Sequence, residues 1–171
     1  MRLMKILILL FLFTNICLAQ ENDIKQKRKL DVVFSPGVIL QNNLFGELNI
    51  LVGFIKVEDG KIPFTGVGGL RLGVESNFRN GNNYIIAPKI GFEISALIFS
   101  ARLSAINYFQ NGNSEFRILP EVGFSLGGRI NLTYGYGISL NDGNINGLSN
   151  HRLGLSFNLN KKLNKGIKEV Y

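Results

Sequence analysis

At 171 residues the chain suits a single domain, and its one cysteine, Cys17, excludes a disulfide framework or a cysteine-based metal site in the body of the protein. The formal net charge of +7 raises the question of nucleic acid, but that partner needs basic and aromatic residues on a shared surface, and the sequence offers none.

The N-terminus reads MRLMKILILLFLFTNICLAQ. Arg2 and Lys5 precede an unbroken apolar run, Ile6 to Phe13, and Cys17-Leu18-Ala19 ends it in a small-x-small pattern. This is the plan of a secretory signal, with cleavage expected before Gln20. The run falls short of the roughly 20 residues that a spanning helix needs, which argues against a short membrane anchor. Ile16 stands where a bacterial lipoprotein signal keeps a small residue, which argues against acylation of Cys17. Residues 1–19 are thus expected to be a cleaved signal peptide, and 20–29, with Lys25, Lys27, Arg28 and Lys29, a basic leader.

From residue 30 the pattern changes to period two, the signature of strands with unlike faces. Eight such segments follow, without a convincing helix: 30–41, 47–57, 69–78, 84–96, 99–108, 115–127, 129–141 and 152–159. The seventh is the cleanest, with Ile130, Leu132, Tyr134, Tyr136, Ile138 and Leu140 on one face. Asn/Gly-rich stretches join segments 1–2, 3–4, 5–6 and 7–8, and these residues tolerate the backbone angles of hairpin turns. Joins 4–5 and 6–7 are tight, at Leu97-Ile98 and Gly127-Gly128, and the 2–3 join is longer. The segments therefore form an up-and-down meander. Ile86-Ala87-Pro88-Lys89-Ile90-Gly91-Phe92 echoes Ile118-Leu119-Pro120-Glu121-Val122-Gly123-Phe124 at a period of 32, two strands and two turns on.

The polar faces hold twelve charges: Asp31, Glu47, Glu75, Glu93, Glu115 and Glu121 against Arg71, Lys89, Arg102, Arg117, Arg129 and Arg152. The apolar rows, such as Leu48, Ile50, Val52 and Phe54 or Ile130 to Leu140, hold none. A soluble sandwich with the apolar faces inward is one solution. Three features favour the reverse, with lipid on the apolar side: there is no evident edge strand, the segments run to roughly 10 residues, and aromatics sit near both strand ends. Phe78, Tyr84 and Phe116 mark one girdle, and Phe34, Phe54, Phe99 and Phe124 the other. The twelve charges then face a lumen narrow enough for side chains to fill, where acids and bases must pair. Gly53, Gly73, Gly91, Gly123, Gly135, Gly137 and Gly154 share that face and are expected to leave room for the long chains. A narrow ion path or proton relay is the functional alternative to a filled lumen. Pro36, Pro88 and Pro120 are expected at bulges or strand ends, because proline removes a ladder donor.

Between Asp31 and Asn160 nine basic residues meet nine acidic ones, so the excess charge lies in the leader and in Lys161, Lys162, Lys165 and Lys168 of a C-terminal tail, 161–171. With an even strand number both tails emerge on one side, where they could touch anionic envelope components. His151, the only histidine, lies near Asp142, Ser149 and Asn150 and is the one candidate centre for a small lipid-modifying enzyme, though no matching motif accompanies it. No cofactor or metal site is expected, and the Gly-rich segments enter no helix that could bind phosphate.

Residues 30–160, as a pattern, resemble small outer-membrane β-barrel proteins of the OmpA/OmpX type, especially short barrels of the Bacteroidetes group. The most specific stretch is Arg152-Leu153-Gly154-Leu155-Ser156-Phe157-Asn158-Leu159, similar to that family's assembly signal of polar, any, Gly, any, any, hydrophobic, any, hydrophobic. The resemblance implies that Arg152, Gly154, Phe157 and Leu159 are read by the barrel-assembly machinery. The family's signal usually ends the protein, whereas here a Lys-rich tail follows, ending at Tyr171. The combined expectation is an all-β, eight-stranded antiparallel up-and-down transmembrane β-barrel over 30–160. It sits in the outer-membrane lipid with both termini periplasmic, non-enzymatic, with a structural or envelope-interaction role. The alternatives are a soluble periplasmic β-sandwich or lipocalin-like small-ligand binder, and a lipid-modifying enzyme at His151.

Overall fold

The computed structural model describes residues 30–58, 64–141, 143, 145 and 147–163. The expected signal peptide, leader and last part of the basic tail lie outside them. The strands are β1 (Asp31–Leu40), β2 (Leu44–Glu58), β3 (Phe64–Asn77), β4 (Ile86–Ala96), β5 (Phe99–Gln110), β6 (Asn113–Leu126), β7 (Ile130–Tyr136), β8 (Ile138–Ser139) and β9 (His151–Phe157). β7 and β8 are two pieces of one stave interrupted at Gly137, and both pair with β6. Each stave pairs antiparallel with its sequence neighbour, and β9 pairs with β7 on one side and β1 on the other. The sheet thus closes into an eight-stranded antiparallel barrel, as expected, rather than a sandwich.

β2, β3, β5 and β6 are longer than the sequence pattern marked, and the other staves are slightly shorter. β2 starts at Leu44 rather than 47, and β3 at Phe64 rather than 69. Pairing with a neighbour continues a strand past the point where its own alternation fades.

The three prolines each open a gap in one ladder without a bulge. The β4–β5 register passes from Ile86↔Phe109 to Lys89↔Ile106 in phase, leaving Pro88 unpaired on the β5 side only. Pro36 pairs with Leu48 in β2 but interrupts the β1–β9 seam, and Pro120 pairs with Leu103 in β5 but interrupts the ladder to β7 and β8. The expected bulges and strand ends are therefore absent at these prolines. A strand directs successive N–H groups to alternate neighbours, so one missing donor costs only one ladder.

Following paired residues round the barrel runs Asp31, Gly53, Gly69, Glu93, Arg102, Glu121, Gly135, Arg152. Leu153 pairs with Leu40, so Arg152 returns to β1 at the level of Gln41, ten residues beyond Asp31. Eight staves with this stagger tilt by about 40° and enclose a tube roughly 16 Å across, backbone to backbone. The tight turns at Leu97-Ile98 and Gly127-Gly128 lie at the end where both ends of the described chain meet, Lys162 bonding Asp31 at 2.7 Å. The Asn/Gly-rich turns lie at the other end, called the upper end below.

Burial assigns the faces. The expected apolar faces point outward: Ile90, Phe92 and Ile94 of β4 are 50, 64 and 68% exposed, while Lys89 and Glu93 between them are buried. The inward row is not polar throughout. Ile39, Phe45, Ile85, Ala87, Ile106, Tyr108, Leu119 and Ile145 pack together near the upper end, and Val33, Leu51, Val67 and Leu163 near the lower. The interior is therefore layered, with an apolar cap, a charged middle and a second apolar cap.

The inward glycines divide into two kinds. A Cβ on Gly135 would lie 2.8 Å from Glu121 Cγ and 3.1 Å from Arg152 Cγ, so this glycine does make room for charged chains. A Cβ on Gly53 would strike the Gly68 carbonyl and lie 2.6 Å from Gly69 Cα, which is neighbouring backbone and not a long side chain. Gly53→Ala should therefore lower the unfolding free energy of the refolded barrel by about 1–3 kcal/mol in a urea titration. Gly112→Ala, at φ +80° with nothing within 4 Å, should cost about 1 kcal/mol, for backbone strain alone.

Candidate functional site: the charged lumen

The middle layer is built by six strands. Glu47 comes from β2, Arg71 and Glu75 from β3, Lys89 and Glu93 from β4, Arg102 from β5, Glu121 from β6 and Arg152 from β9. Period two puts each on the inner face, and the stagger of the staves brings residues distant in sequence to one level. The contacts run as one string. Arg102 Nε lies 3.1 Å from Glu93, which also bonds Arg71. Arg71 Nη2 donates to Glu47 at 3.0 Å, and Glu47 accepts from Lys89. Lys89 Nζ donates to Glu75 at 2.6 Å. Glu75 accepts from Arg152 Nη2 at 2.7 Å and Nη1 at 3.0 Å, and Arg152 Nε lies 3.4 Å from Glu121. Four carboxylates and four cations alternate, so the string is neutral.

Of the other four charges expected there, Glu115 and Arg117 form their own pair at 2.7 Å nearer the upper end, with Arg117 Nη1 donating to the Ser149 carbonyl at 2.8 Å. Asp31 and Arg129 do not join them. Asp31 sits at the lower rim with Lys162, and Arg129 is exposed in the turn before β7. Both stand at strand termini, where parity no longer decides which way a side chain points.

Sequence reasoning missed the two caps. At the upper end the loop after β8 folds back across the mouth. Asn42 and Asn43 donate to the carbonyls of Leu148 and Gly147, each at 3.1 Å, and Ile145 is 8% exposed beneath the loop. Tyr108 joins cap to string, packing edge-on against Phe45 and meeting Arg152 Nη1 with its hydroxyl at 3.1 Å. At the lower end a single helical turn, 161–163, follows β9 and carries Leu163, wholly buried, into the tube. The signal was present in Val33, Ile39, Leu51, Ile106 and Leu119, all apolar at inward positions.

In the stretch 152–159, expected to be an assembly signal, Arg152 and Gly154 face inward, while Phe157 and Leu159 face outward and are 39 and 46% exposed. β9 closes the barrel against β1, and Leu159 adds a bridge to Phe34. His151 stands on the outer wall near the upper rim, not in the lumen. Its Nδ1 meets the Tyr134 hydroxyl, and its ring lies edge-on to Tyr136 at 5.1 Å. Ser149 Oγ accepts from the His151 backbone N–H at 3.1 Å, so the serine hydroxyl engages the main chain rather than the imidazole. Asp142 lies outside the described residues. Among the described residues no group of three or more His, Cys, Asp or Glu side chains could hold a metal ion.

The string makes a specific energetic prediction. Glu75→Ala strands Lys89 and Arg152 beside one remaining acid each and should destabilise the refolded barrel by about 3–5 kcal/mol. Replacing the pair together, Glu75→Leu with Arg152→Met, should cost less than Glu75→Ala alone, because the arginine that Glu75 holds through two hydrogen bonds leaves with it and Lys89 keeps Glu47. Urea unfolding of the single and double variants checks both. Compared with protein-family models, curated proteins and solved structures, the chain matches none, so its functional reading rests on its own geometry.

Proposed function

We propose that this barrel spans an outer membrane, with both chain ends on the periplasmic side, and serves a structural or envelope-interaction role with a closed, charge-paired lumen. One observation carries the reading: the molecule is inverted relative to a water-soluble protein. Large apolar side chains stand outward on every stave, and ten strand charges are sealed inside. On β4 the outward row Ile86, Pro88, Ile90, Phe92, Ile94, Ala96 covers eleven residues of strand. At ~3.3 Å per residue and a tilt of about 40° that is roughly 25 Å, the height of the apolar band on outer-membrane barrels. Exposed aromatics flank it, with Phe78, Tyr84, Phe109 and Phe116 toward the upper end and Phe34, Phe54, Phe99 and Phe124 toward the lower. In water such a wall would far exceed the few hundred Å² of contiguous apolar surface that monomers expose. Among the described residues no helix is long and apolar enough to cross a membrane; the strands would do the crossing.

A soluble small-ligand binder is poorly supported. It would use an apolar interior, whereas this one is occupied at mid-height by eight charges that satisfy one another. The caps at both mouths support a lumen without steady conductance. The proposed partners are outer-membrane lipid around the wall, the barrel-assembly machinery reading the β9 stretch, and anionic envelope components at the Lys-rich tail.

Fractionation tests the reading. The protein should sediment with outer membranes, resist salt and alkali, and run compactly on a detergent gel until boiled. Recovery in the soluble periplasmic fraction would sink it. Phe92→Arg, at the middle of the outer wall, should cost about 2–4 kcal/mol when the barrel folds into lipid vesicles. In a planar bilayer the intact protein should give no steady current, and a stable open level would contradict the closed lumen.

A further inference from the structure

The lower lumen has two unlike sides. Strands β2 to β6 send in long charged chains, while β7, β9 and β1 send in short ones: Ser35, Asn131, Thr133, Ser156 and then Asn158. On the short side, and on Asn49 beside it, five buried oxygens have no hydrogen-bond partner among the described residues. They are Ser35 Oγ, Asn49 Oδ1, Asn131 Oδ1, Thr133 Oγ1 and Asn158 Oδ1. All five residues are at most 1% exposed.

They are neighbours. Asn49 pairs with Ser35 across β1–β2. Ser35 stands opposite Asn158 across the seam, between the Phe34–Leu159 bridge and the Gly37–Ser156 pair. Asn131 and Thr133 pair with Ser156 and Gly154 on β9.

The amides are oriented by their nitrogens. Asn131 Nδ2 and Asn158 Nδ2 donate to Glu93 Oε1 at 3.3 and 3.0 Å, and Asn49 Nδ2 donates to the Ser35 carbonyl at 3.0 Å. The oxygens of Asn131 and Asn158 are thereby turned away from Glu93, while Asn49 Oδ1 lies against Gly73. Arg102 Nε, a donor, likewise has no hydrogen bond of good geometry.

Each buried polar group left unpaired costs about 1–3 kcal/mol, so the five oxygens together would be prohibitive. A metal cation would satisfy the oxygens but not Arg102 Nε, and it would sit beside guanidinium groups. Water both accepts from the arginine and donates to the oxygens, and it is the small species that buried polar groups ordinarily hold.

Directly below lies the lower cap. Val33 and Leu51 are the next inward positions beneath Ser35 and Asn49, and with Val67 and Leu163 they close the tube. Leu163 differs from the other three in belonging to no strand. Its turn is held from outside the tube, by Asn160 Nδ2 on the Val32 carbonyl at 2.9 Å, Asn160 Oδ1 on the Lys162 N–H at 2.8 Å, and Lys162 on Asp31.

We infer that the lower lumen holds a cluster of bound water and that Leu163 is its removable stopper. When the 161–163 turn lifts, the polar interior opens to the side where both ends of the described chain lie. The inference stands on the barrel interior alone and does not depend on the membrane.

A high-resolution crystal structure should show water bridging Asn131, Asn158 and Arg102. Side chains rotated to bond one another, with no water between, would overturn the cluster. The stopper is tested in the full chain with Cys17→Ser and Ser35→Cys, refolded in detergent and treated with the small cationic thiol reagent 2-aminoethyl methanethiosulfonate. With Leu163 present the thiol should react only as fast as the barrel opens. Leu163→Gly should speed labelling at least about tenfold while the heat-dependent gel shift persists, and Leu163→Met should keep it slow. Lys162→Glu, which sets like charges against Asp31, should also speed labelling and serves if the glycine variant does not fold. Equal rates with and without the stopper, or fast labelling in its presence, would overturn the proposal.

Discussion

Eight charges enclosed in a tube roughly 16 Å across can stay ionised only if each touches its opposite, because moving an ion out of water costs several kcal/mol even after relaxation. The string from Arg102 to Glu121 meets that constraint, and much of the architecture follows from it. The stagger of ten residues brings Glu75 of β3 to Arg152 of β9, 77 residues apart in sequence. Glycine at 135 leaves room for Glu121 and Arg152 side by side. Apolar caps above and below keep bulk water from competing for the ion pairs. The string also acts as a cross-brace, since it ties β2, β3 and β4 to β5, β6 and β9 through the interior.

The same constraint explains the outer wall. Side chains alternate strictly along a strand, so a face given to charges leaves its opposite face free to be apolar. A barrel that fills its lumen with ion pairs has its hydrophobic residues to spend outside, and lipid is the environment in which they cost nothing. Closure serves both sides: it gives the outer wall no unpaired edge, and it gives the inner charges partners in every direction. The three prolines fit this plan, since each opens only one ladder and leaves the register on both sides in phase.

The strand count, the meander and the choice of face were legible because they depend only on period two and on turn residues. Ten of the twelve lumen charges were legible for the same reason. Asp31 and Arg129 were not, since both stand where a strand ends and a turn or rim sets the side chain's direction. The caps were hidden for another reason. Val33, Leu51 and Ile106 look like interruptions of an alternating pattern until the register shows that they gather at two levels. Ile145 and Leu163 lie outside any strand, in segments that sequence alone assigns to a solvated loop and a basic tail. Nor could the sequence pair Glu93 with Arg102 and Arg71 in particular, because partners inside a barrel are fixed by stagger, which is a property of all eight staves together.

The central claim is that lipid, not water, surrounds the apolar wall. Nitroxide labels placed singly along 86–96 of the barrel in lipid vesicles test it most directly, by their collisions with oxygen and with a water-soluble nickel complex. Oxygen dissolves in lipid and the complex does not. The account predicts that labels at Ile90, Phe92 and Ile94 meet oxygen freely and the nickel complex rarely, in a two-residue period out of phase with Lys89, Gly91 and Glu93. Free access of the nickel complex to Ile90, Phe92 and Ile94 would place that wall in water and contradict the account.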